Sequence, residues 1–486
     1  MSPRTRLTLL LLPPLAFARL GNSDTPLEAY YWGPNDDTPS GTGKTTIVPA
    51  PTLTVDERGF VTCHTPASVT FKDAVGFRPV CPFFELWARR DGETEIPLTP
   101  ERLSELGLEE SQLVWTVRVA NLKPYFMTGD PDTAIRAEIV LRGGDPTQRA
   151  LEGKCDHGAA VPLVPHGRHI PLGCVRLTRP NAGHPEFRLR FTPGNGRFYG
   201  PPDVRDKWKG VQLPSDDLFL NPESSWCKWT RTAADPRGWP PGQYAQDGDS
   251  VSYGLVDDVC DGIVSCAVAD AERHRHLEIV PASARIVVGP PDYAPDRRPI
   301  VSLADGLKDR VERHLPDNYF ARPNAVGQEV GDLFERVFET LGLINLDVFN
   351  DRVDVQENAL IALERGIPYH PPAKPAPGVT TRAQADHRAF EPPTATRAMP
   401  LPLTERARQY HRRFIVGDVL AELLRKRPDL LREVLREPLS DSPFFDQKMP
   451  ALMKDASGGP LHLTRRQYHI LLCWAAGLAG AKGDAR

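Results

Sequence analysis

Carboxylates are concentrated in one short stretch of the sequence, residues 247–268, together with glycines and β-branched residues. Its five aspartates are Asp247, Asp249, Asp257, Asp258 and Asp261. Carboxylates at this spacing either form turns, since an aspartate side chain accepts hydrogen bonds from nearby backbone amides, or bind cations and protons. A calcium loop needs oxygen ligands at alternate positions, and Val259 breaks that pattern when the count starts at Asp257. The stretch therefore predicts turns between short strands, with Asp257, Asp258 and Asp261 as structural or site-supporting candidates.

A second group of residues has side chains that suit zinc. It consists of Cys155, His157, His166, His169 and Cys174. The spacing matches no familiar zinc module, and scattered loop histidines or a disulfide would explain the group as well. We therefore predict no metal site here.

The amino-acid composition excludes some classes of binding partner. The chain has 486 residues, with 59 Lys plus Arg against 63 Asp plus Glu, so it carries no excess of basic residues. Nucleic acid and membrane surfaces are therefore not expected partners. The apolar run at residues 7–18 is too short to cross a bilayer. It fits either a secretion signal, with Ala16-Phe17-Ala18 as the cleavage site, or a first β-strand, and the compartment stays open.

The periodicity of apolar residues predicts an α+β protein with a mainly β N-terminal part and a smaller, mostly helical C-terminal part. Alternating patterns at residues 69–73, 82–88, 114–120, 137–141 and 277–288 predict strands of β-sandwich-like sheets within a β-rich region at 1–300. A helical segment follows at 301–367, then a proline-rich linker or arm at 368–402, and helices at 403–486.

One helix has clear end signals. Thr464 and Gln467 are three residues apart, as in a capping box, and Gly477 is suited to end the helix. The sequence thus predicts a short buried helix from about residue 464 to residue 477.

Several segments, taken in order, resemble one family of enzymes. The opening Ala-Arg-Leu-Gly-Asn-Ser at 18–23 resembles the family's Ala-Arg-Val-Gly-Asn-Ser. Asp-Asp-Val-Cys-Asp-Gly-Ile-Val at 257–264 resembles its Asp-Asp-Val-Ser-Asp-Gly-Pro-Val, with Cys260 and Ile263 as departures. Further matching landmarks lie at 71–76, 83–87, 170–173, 188–189, 194–196, 281–282, 290–295, 303–305, 449–450 and 463–477.

This ordered set is similar to the LodA/GoxA-like quinoprotein amino-acid oxidases, of the lysine ε-oxidase and glycine oxidase type. The resemblance implies oxidative deamination of a primary amine with dioxygen, releasing ammonia and hydrogen peroxide. It implies cysteine tryptophylquinone as the cofactor of the full-length family, a flavoprotein that matures the quinone, and self-association. It also makes the N-terminal apolar run the first strand of the fold, which favours a cytoplasmic protein over a secreted one.

The resemblance also implies a deficit. In the family, the crosslinked cysteine, the quinone-forming tryptophan and the catalytic aspartate lie beyond a Gln-Tyr-x-x-Leu-x-x-Trp helix, which corresponds to residues 467–474. Cys473 and Trp474 cannot replace the crosslinked pair, because neighbours on a helix point about 100° apart. We therefore expect no catalytic residue, no cofactor and no amine oxidation in this chain as written. The alternative is a non-catalytic binding or scaffold relative of the family.

Overall fold

The computed structural model describes residues 5–35, 45–155, 158–207, 212–231, 242–244, 250–274, 276–292, 295, 298–312, 323–341, 418–427, 429–438 and 461–480. The chain divides into two compact units. The first, called the β unit, comprises Met1–Tyr31 and Ile47–Tyr293. The second, called the helical unit, comprises Trp32–Thr46 and Ala294–Arg486.

Two sheets form the framework of the β unit. Sheet I contains, in spatial order, β11 (Arg149–Gly153), β12 (Ile170–Leu177), β13 (Arg188–Thr192), β7 (Phe83–Arg90), β1 (Thr5–Leu12) and β20 (Leu277–Val280), with β8 (Ile96–Pro97) beside β7. Sheet II contains β10 (Ile135–Arg142), β9 (Leu113–Asn121), β19 (Asp261–Val268), β21 (Ala282–Gly289) and β2 (Leu15–Arg19). Buried residues from both sheets belong to a single apolar cluster, so the two sheets pack face to face as a sandwich.

Two chain segments cross from one sheet to the other side by side. β1 pairs with β20 in parallel in sheet I, and their continuations β2 and β21 pair in parallel in sheet II. Prolines mark both crossings, Pro13 and Pro14 in the first segment and Pro281 in the second. A proline has no N–H to give to a ladder, so these residues suit the point at which a strand leaves its sheet.

The remaining strands and helices of this part of the chain are short, and the first two of these strands form a two-stranded ribbon after β2. The paired strands are β3 (Tyr30–Asn35) with β4 (Thr45–Pro49), β5 (Thr52–Val55) with β6 (Val61–His64), β14 (Phe198–Tyr199) with β18 (Val256–Asp257), and β17 (Ser250–Ser252) between β15 (Thr230–Arg231) and β16 (Gly242–Tyr244). The helices are α1 (Pro100–Glu105), α2 (Lys123–Thr128) and α3 (Val204–Lys207), with 3₁₀ turns at Glu110–Gln112, Pro131–Thr133, Ser215–Asp217 and Ala271–Arg273.

The helical unit has its own core. Its described helices are α4 (Leu303–Val311), α5 (Pro323–Leu341), α6 (Asp418–Lys426), α7 (Leu430–Val434) and α8 (Arg465–Gly480). Buried residues that share this core include Val330, Leu333, Leu424 and Ile470. None of the helices described here is long and apolar enough to cross a membrane.

The fold class inferred from the sequence is confirmed: the strands dominate the N-terminal part and the helices lie mostly towards the C-terminus. The capping box of α8 is confirmed as well, since Thr464 N donates to Gln467 Oε1 at 3.0 Å and Gln467 N donates to Thr464 Oγ1 at 3.1 Å. The helix continues past Gly477 to Gly480. The linker predicted at 368–402 lies outside the described residues.

Two strand predictions need correction. Residues 69–73 do not form a strand and make only a single bridge, between Lys72 and Phe77. Asp73 accepts hydrogen bonds from Val75 N and Gly76 N instead, which turns the chain where a ladder was expected. The single strand predicted at 277–288 is two strands, β20 and β21, in different sheets.

Candidate functional site

The three candidate aspartates lie where β18 leads into β19: Asp257 ends β18, Asp258 is in the connection and Asp261 begins β19. An end of sheet II meets an end of sheet I there. Asp258 is the most buried of them, with 1% of its surface exposed. Its carboxylate accepts hydrogen bonds from Gly196 N, at 3.1 Å to Oδ1 and 3.0 Å to Oδ2, and from Arg197 N, at 3.2 Å to Oδ2. These donors belong to the turn that follows β13, so one side chain joins the turn at 193–197 to the turn at 257–261. We call this arrangement the Asp258 clamp.

Burial dominates the acid–base behaviour of Asp258. Loss of hydration raises the pKa of its carboxyl from the ordinary 3.8 to about 6, and the nearby charge of Asp257 adds to the rise. The amide hydrogen bonds from Arg197 and Gly196 oppose this effect because they favour the ionised form. The carboxylate oxygens are therefore occupied by backbone groups and shielded from solvent, which suits a structural link better than proton exchange with a substrate.

Asp257 also has a structural partner. Asn121, the last residue of β9, donates from Nδ2 to the backbone oxygen of Asp257 and to its Oδ1, both at 3.0 Å. Asp257 pairs with Phe198 across the β14–β18 ladder. No sequence signal singled out Asn121, because the contact joins residues 136 positions apart.

Asp261 lies in different surroundings, at the start of β19 and in register with Ala120 on β9 and Val287 on β21. Partial burial raises the pKa of its carboxyl. Asp261 lines an open groove of about 700 Å³ over β9, β10 and β19 of sheet II, and the lining also includes Ala150 and Glu152 of β11 in sheet I. The charged residues lining this groove are Arg118, Arg136, Glu138, Glu152, Lys154 and Asp261. Acidic and basic groups are equal in number there, and two pairs, Arg118–Glu138 and Lys154–Glu152, are in direct contact.

Two glycines allow the clamp to form. A Cβ added to Gly194 would lie 2.7 Å from Asp258 Cγ, which is too close for any side chain. Gly196 has φ +78°, a left-handed conformation that glycine adopts without strain. Gly-Asn-Gly is a typical turn sequence, but its partner carboxylate cannot be identified from the sequence.

The landmark segment at 18–23 makes contacts of the same kind. Ser23 Oγ donates to Asp73 Oδ2, and Asn22 Nδ2 donates to Val75 O at 3.0 Å. Gly76, at φ +154°, leaves room for the Asn22 amide, since an added Cβ would lie 2.0 Å from Asn22 Oδ1. The segments at 18–23 and 71–76 therefore lock together through side-chain hydrogen bonds.

The same segment reaches the end of β21. Arg19 Nη1 donates to Pro290 O at 3.1 Å, and Arg19 Nη2 lies 3.6 Å from Asp292 Oδ2. Leu20 N donates to Gly289 O at 2.9 Å. Leu20 is also the residue that a Cβ on Gly196 would approach, at 3.7 Å. Landmarks that are far apart in sequence thus meet at one end of the sandwich.

Two cysteine–tryptophan pairs among the described residues do not fit cysteine tryptophylquinone. Cys473 and Trp474 are consecutive on α8, and Trp474 packs edge to face against Phe334 at a ring distance of 6.2 Å. Cys266 and Trp115 are in register on β19 and β9, but 0% and 1% of their surfaces are exposed, so a substrate could not reach a quinone there. The first pair is not placed to form the crosslink, and the second pair has no contact with solvent.

The residues considered for zinc do not gather either. Cys155 is buried, and its sulfur accepts a hydrogen bond from Val164 N at 3.4 Å. Cys174 lies in register with Thr192 within sheet I. His157 lies outside the described residues. No cluster of three or more metal-binding side chains occurs in the part of the chain that the structure describes.

Asp247 and Asp249 also lie outside the described residues.

No protein-family model matches the chain, and no curated protein matches it at a significant level.

Proposed function

We propose that this chain provides the β-rich framework of a LodA/GoxA-like quinoprotein amino-acid oxidase. The observation that supports the proposal is the convergence of the landmark segments. Residues 18–23 contact 71–76 and 289–292, and residues 194–197 contact 257–261, in each case through hydrogen bonds. Residues that carry a family resemblance and also bond to one another are those expected to preserve a common framework.

Within this proposal, Asp257 and Asp258 act as framework residues. A proton-transfer group must reach the substrate within hydrogen-bond distance. The carboxylate of Asp258 faces backbone amides in a buried position, and that of Asp257 is bonded to Asn121. Asp261 is the most open of the three and supports the rim of the groove over sheet II.

The oxidation itself needs an electron-accepting carbonyl, which no ordinary side chain supplies. The pairs Cys473–Trp474 and Cys266–Trp115 do not fit the family's cofactor, because the first is consecutive on one helix and the second is buried. We therefore propose that this chain by itself does not oxidise amines, and that a flavoprotein partner and self-association belong to the complete enzyme.

The second candidate function is non-catalytic binding or scaffolding. The groove of about 700 Å³ over sheet II favours it, because a groove lined by both acidic and basic side chains could hold a polar ligand without any redox group.

One experiment separates the two. The native protein is isolated from its source, and its intact mass is compared with the 53.9 kDa of this chain, together with quinone redox staining and amine-dependent release of hydrogen peroxide. A larger mass with quinone staining and peroxide release supports the oxidase. A mass of 53.9 kDa without either signal contradicts it and favours the binding function.

A second arm tests the framework role of the aspartates in any active preparation. Asp258→Ala should lower activity and folded yield together, whereas Asp258→Asn should keep both. A selective loss of turnover in Asp258→Asn, with the fold intact, would overturn the framework assignment.

A further inference from the structure

The Asp258 clamp places an ionisable group where its charge is not neutralised. Among the described residues, Asp258 makes no ion pair, and the guanidinium of Arg197 turns instead to Asp217, with 2.7 Å between Nη2 and Oδ2. The bonds to the carboxylate come from Gly196 N and Arg197 N. The clamp thus holds a turn of sheet I to a turn of sheet II by means of a desolvated group that can gain or lose a proton.

The other titratable groups described around Asp258 add no positive charge. Asp257 and Asp261 are in the same turn, and the thiol of Cys260 between them has a raised pKa because of its burial. From β14, the phenol of Tyr199 has a pKa raised to about 12, first by burial and then by the charge of Asp258. Around neutral pH the thiol and the phenol are neutral, so ionised Asp258 faces other acidic groups and, within the described part of the chain, no unpaired cation.

We propose that Asp258 is a pH-operated clamp: protonation closes the turn at 193–197 onto the turn at 257–261, and ionisation favours its opening. The step is a proton exchange with solvent, in which the carboxyl releases one proton and becomes a carboxylate. When protonated, the carbonyl oxygen of the carboxyl still accepts hydrogen bonds from the two amides. When ionised, the carboxylate gains hydration only if the clamp opens.

The size of the effect follows from linkage. The pKa of Asp258 is about 6 in the closed clamp and near the ordinary 3.8 when the carboxyl is exposed. Because the closed form binds the proton more tightly, the stability of closure is fully present below about pH 4 and is lost as the pH rises through about 6. Because the pKa values of the closed and open forms differ by about two, the opening equilibrium constant increases about 100-fold between its low-pH and high-pH limits.

Hydrogen exchange of the full chain measures this opening. Protection factors of the Gly196 and Arg197 amides, corrected for the intrinsic pH dependence of exchange, are compared between about pH 4 and about pH 8. We expect the protection factors to fall by up to about 100-fold, by about tenfold per pH unit between about pH 4 and about pH 6, and to level off above about pH 6. Amides of β9 serve as the internal reference, because they report opening of sheet II and not of the clamp.

Two variants identify the titrating group. Asp258→Asn keeps an oxygen acceptor without a charge and should give a flat profile, whereas Asp261→Asn should keep the step. A flat wild-type profile, or a step that persists in Asp258→Asn, would overturn the proposal. If Asp258→Asn does not fold, Asp261→Asn decides: loss of the step in that variant would overturn the proposal.

Discussion

Arg188 provides the sharpest test of how sheet I is stabilised. It lies opposite Glu85 on β13 and β7, with 7% of its side chain exposed. Its Nε and Nη2 lie 2.8 and 2.7 Å from Glu85 Oε2, and Nη2 also lies 2.7 Å from Glu186 Oε2. One cation therefore separates two carboxylates in the interior of a sheet, and Arg188→Met should leave both without it.

The expected loss in the free energy of unfolding is large, but it is smaller than the largest loss seen when a fully buried ion pair is broken. Removing one partner of a fully buried ion pair costs about 3–5 kcal/mol. The side chains of Glu85 and Glu186 are 24% and 21% exposed, so water can hydrate their carboxylates in part after the substitution. We expect Arg188→Met to lower the free energy of unfolding by about 3 kcal/mol, and Glu85→Gln by about 1 kcal/mol because Glu186 still pairs with Arg188.

Urea unfolding followed by far-ultraviolet circular dichroism measures both values, provided that the m value is unchanged. Sheet II offers a matched control, since Arg118 and Glu138 also form a cross-strand Arg–Glu pair, but with 65% and 51% of their side chains exposed. Arg118→Met should change stability by no more than about 0.5 kcal/mol. If Arg188→Met costs no more than Arg118→Met, the argument from burial is refuted.

Three further outcomes follow from single contacts. Gly194→Ala should lower the stability of the β unit by about 1–3 kcal/mol, because the new methyl group displaces Asp258, and unfolding in urea measures the loss. Arg466→Met should lower the free energy of unfolding of the helical unit by about 3 kcal/mol, because the buried guanidinium is paired with Glu329. Calorimetry should show this as a lower unfolding temperature. Tyr199 should ionise only near pH 12. Because its pKa is raised from 10.0, its contribution to stability is fully present below about pH 10 and is lost as the pH rises through about 12. A phenolate absorbance titration of Tyr199→Phe should lack this late step.

Gly158 and Arg465 provide the controls for the first two of these outcomes. Gly158→Ala should be almost neutral, because an added Cβ there meets no atom within 4 Å. Arg465→Met should also be almost neutral, because Arg465 is exposed. A loss at either control equal to that at the buried position would contradict the contact in question.

The sequence was sufficient where a local rule decides the structure. Thr464 and Gln467 form their capping box because both partners lie within one helical turn. Alternating apolar residues identified β7, β9 and β10, since burial of one face of a sheet imposes a period of two. These predictions needed no knowledge of distant parts of the chain.

Local rules failed where a distant side chain competes with the ladder. Residues 69–73 have a strand-like composition, yet Asp73 is bonded to Ser23 and Arg78 Nη1 donates to Thr70 O at 3.1 Å. These side-chain hydrogen bonds occupy a backbone oxygen that a strand would pair with its neighbour, and they favour a turn. The partner Ser23 is 50 residues away from Asp73. The change from sheet I to sheet II at Pro281 was not predicted for a related reason. The proline is visible in the sequence, but the sheet that the following strand joins is not.

The candidate site illustrates the same limit in chemical terms. Asp257, Asp258 and Asp261 are equivalent in the sequence, as three carboxylates in a stretch of turn-forming residues. In the structure, Asp257 accepts a hydrogen bond from the side-chain amide of Asn121 on β9. Asp258 accepts hydrogen bonds from two backbone amides of the turn after β13, and Asp261 lines an open groove. Because burial and hydrogen bonding determine the pKa of a carboxyl, the surroundings of Asp258 raise its pKa to about 6. Only Asp258 combines near-complete burial with donors that belong to the other sheet, so a proton on that residue can govern a contact between the two sheets of the β unit.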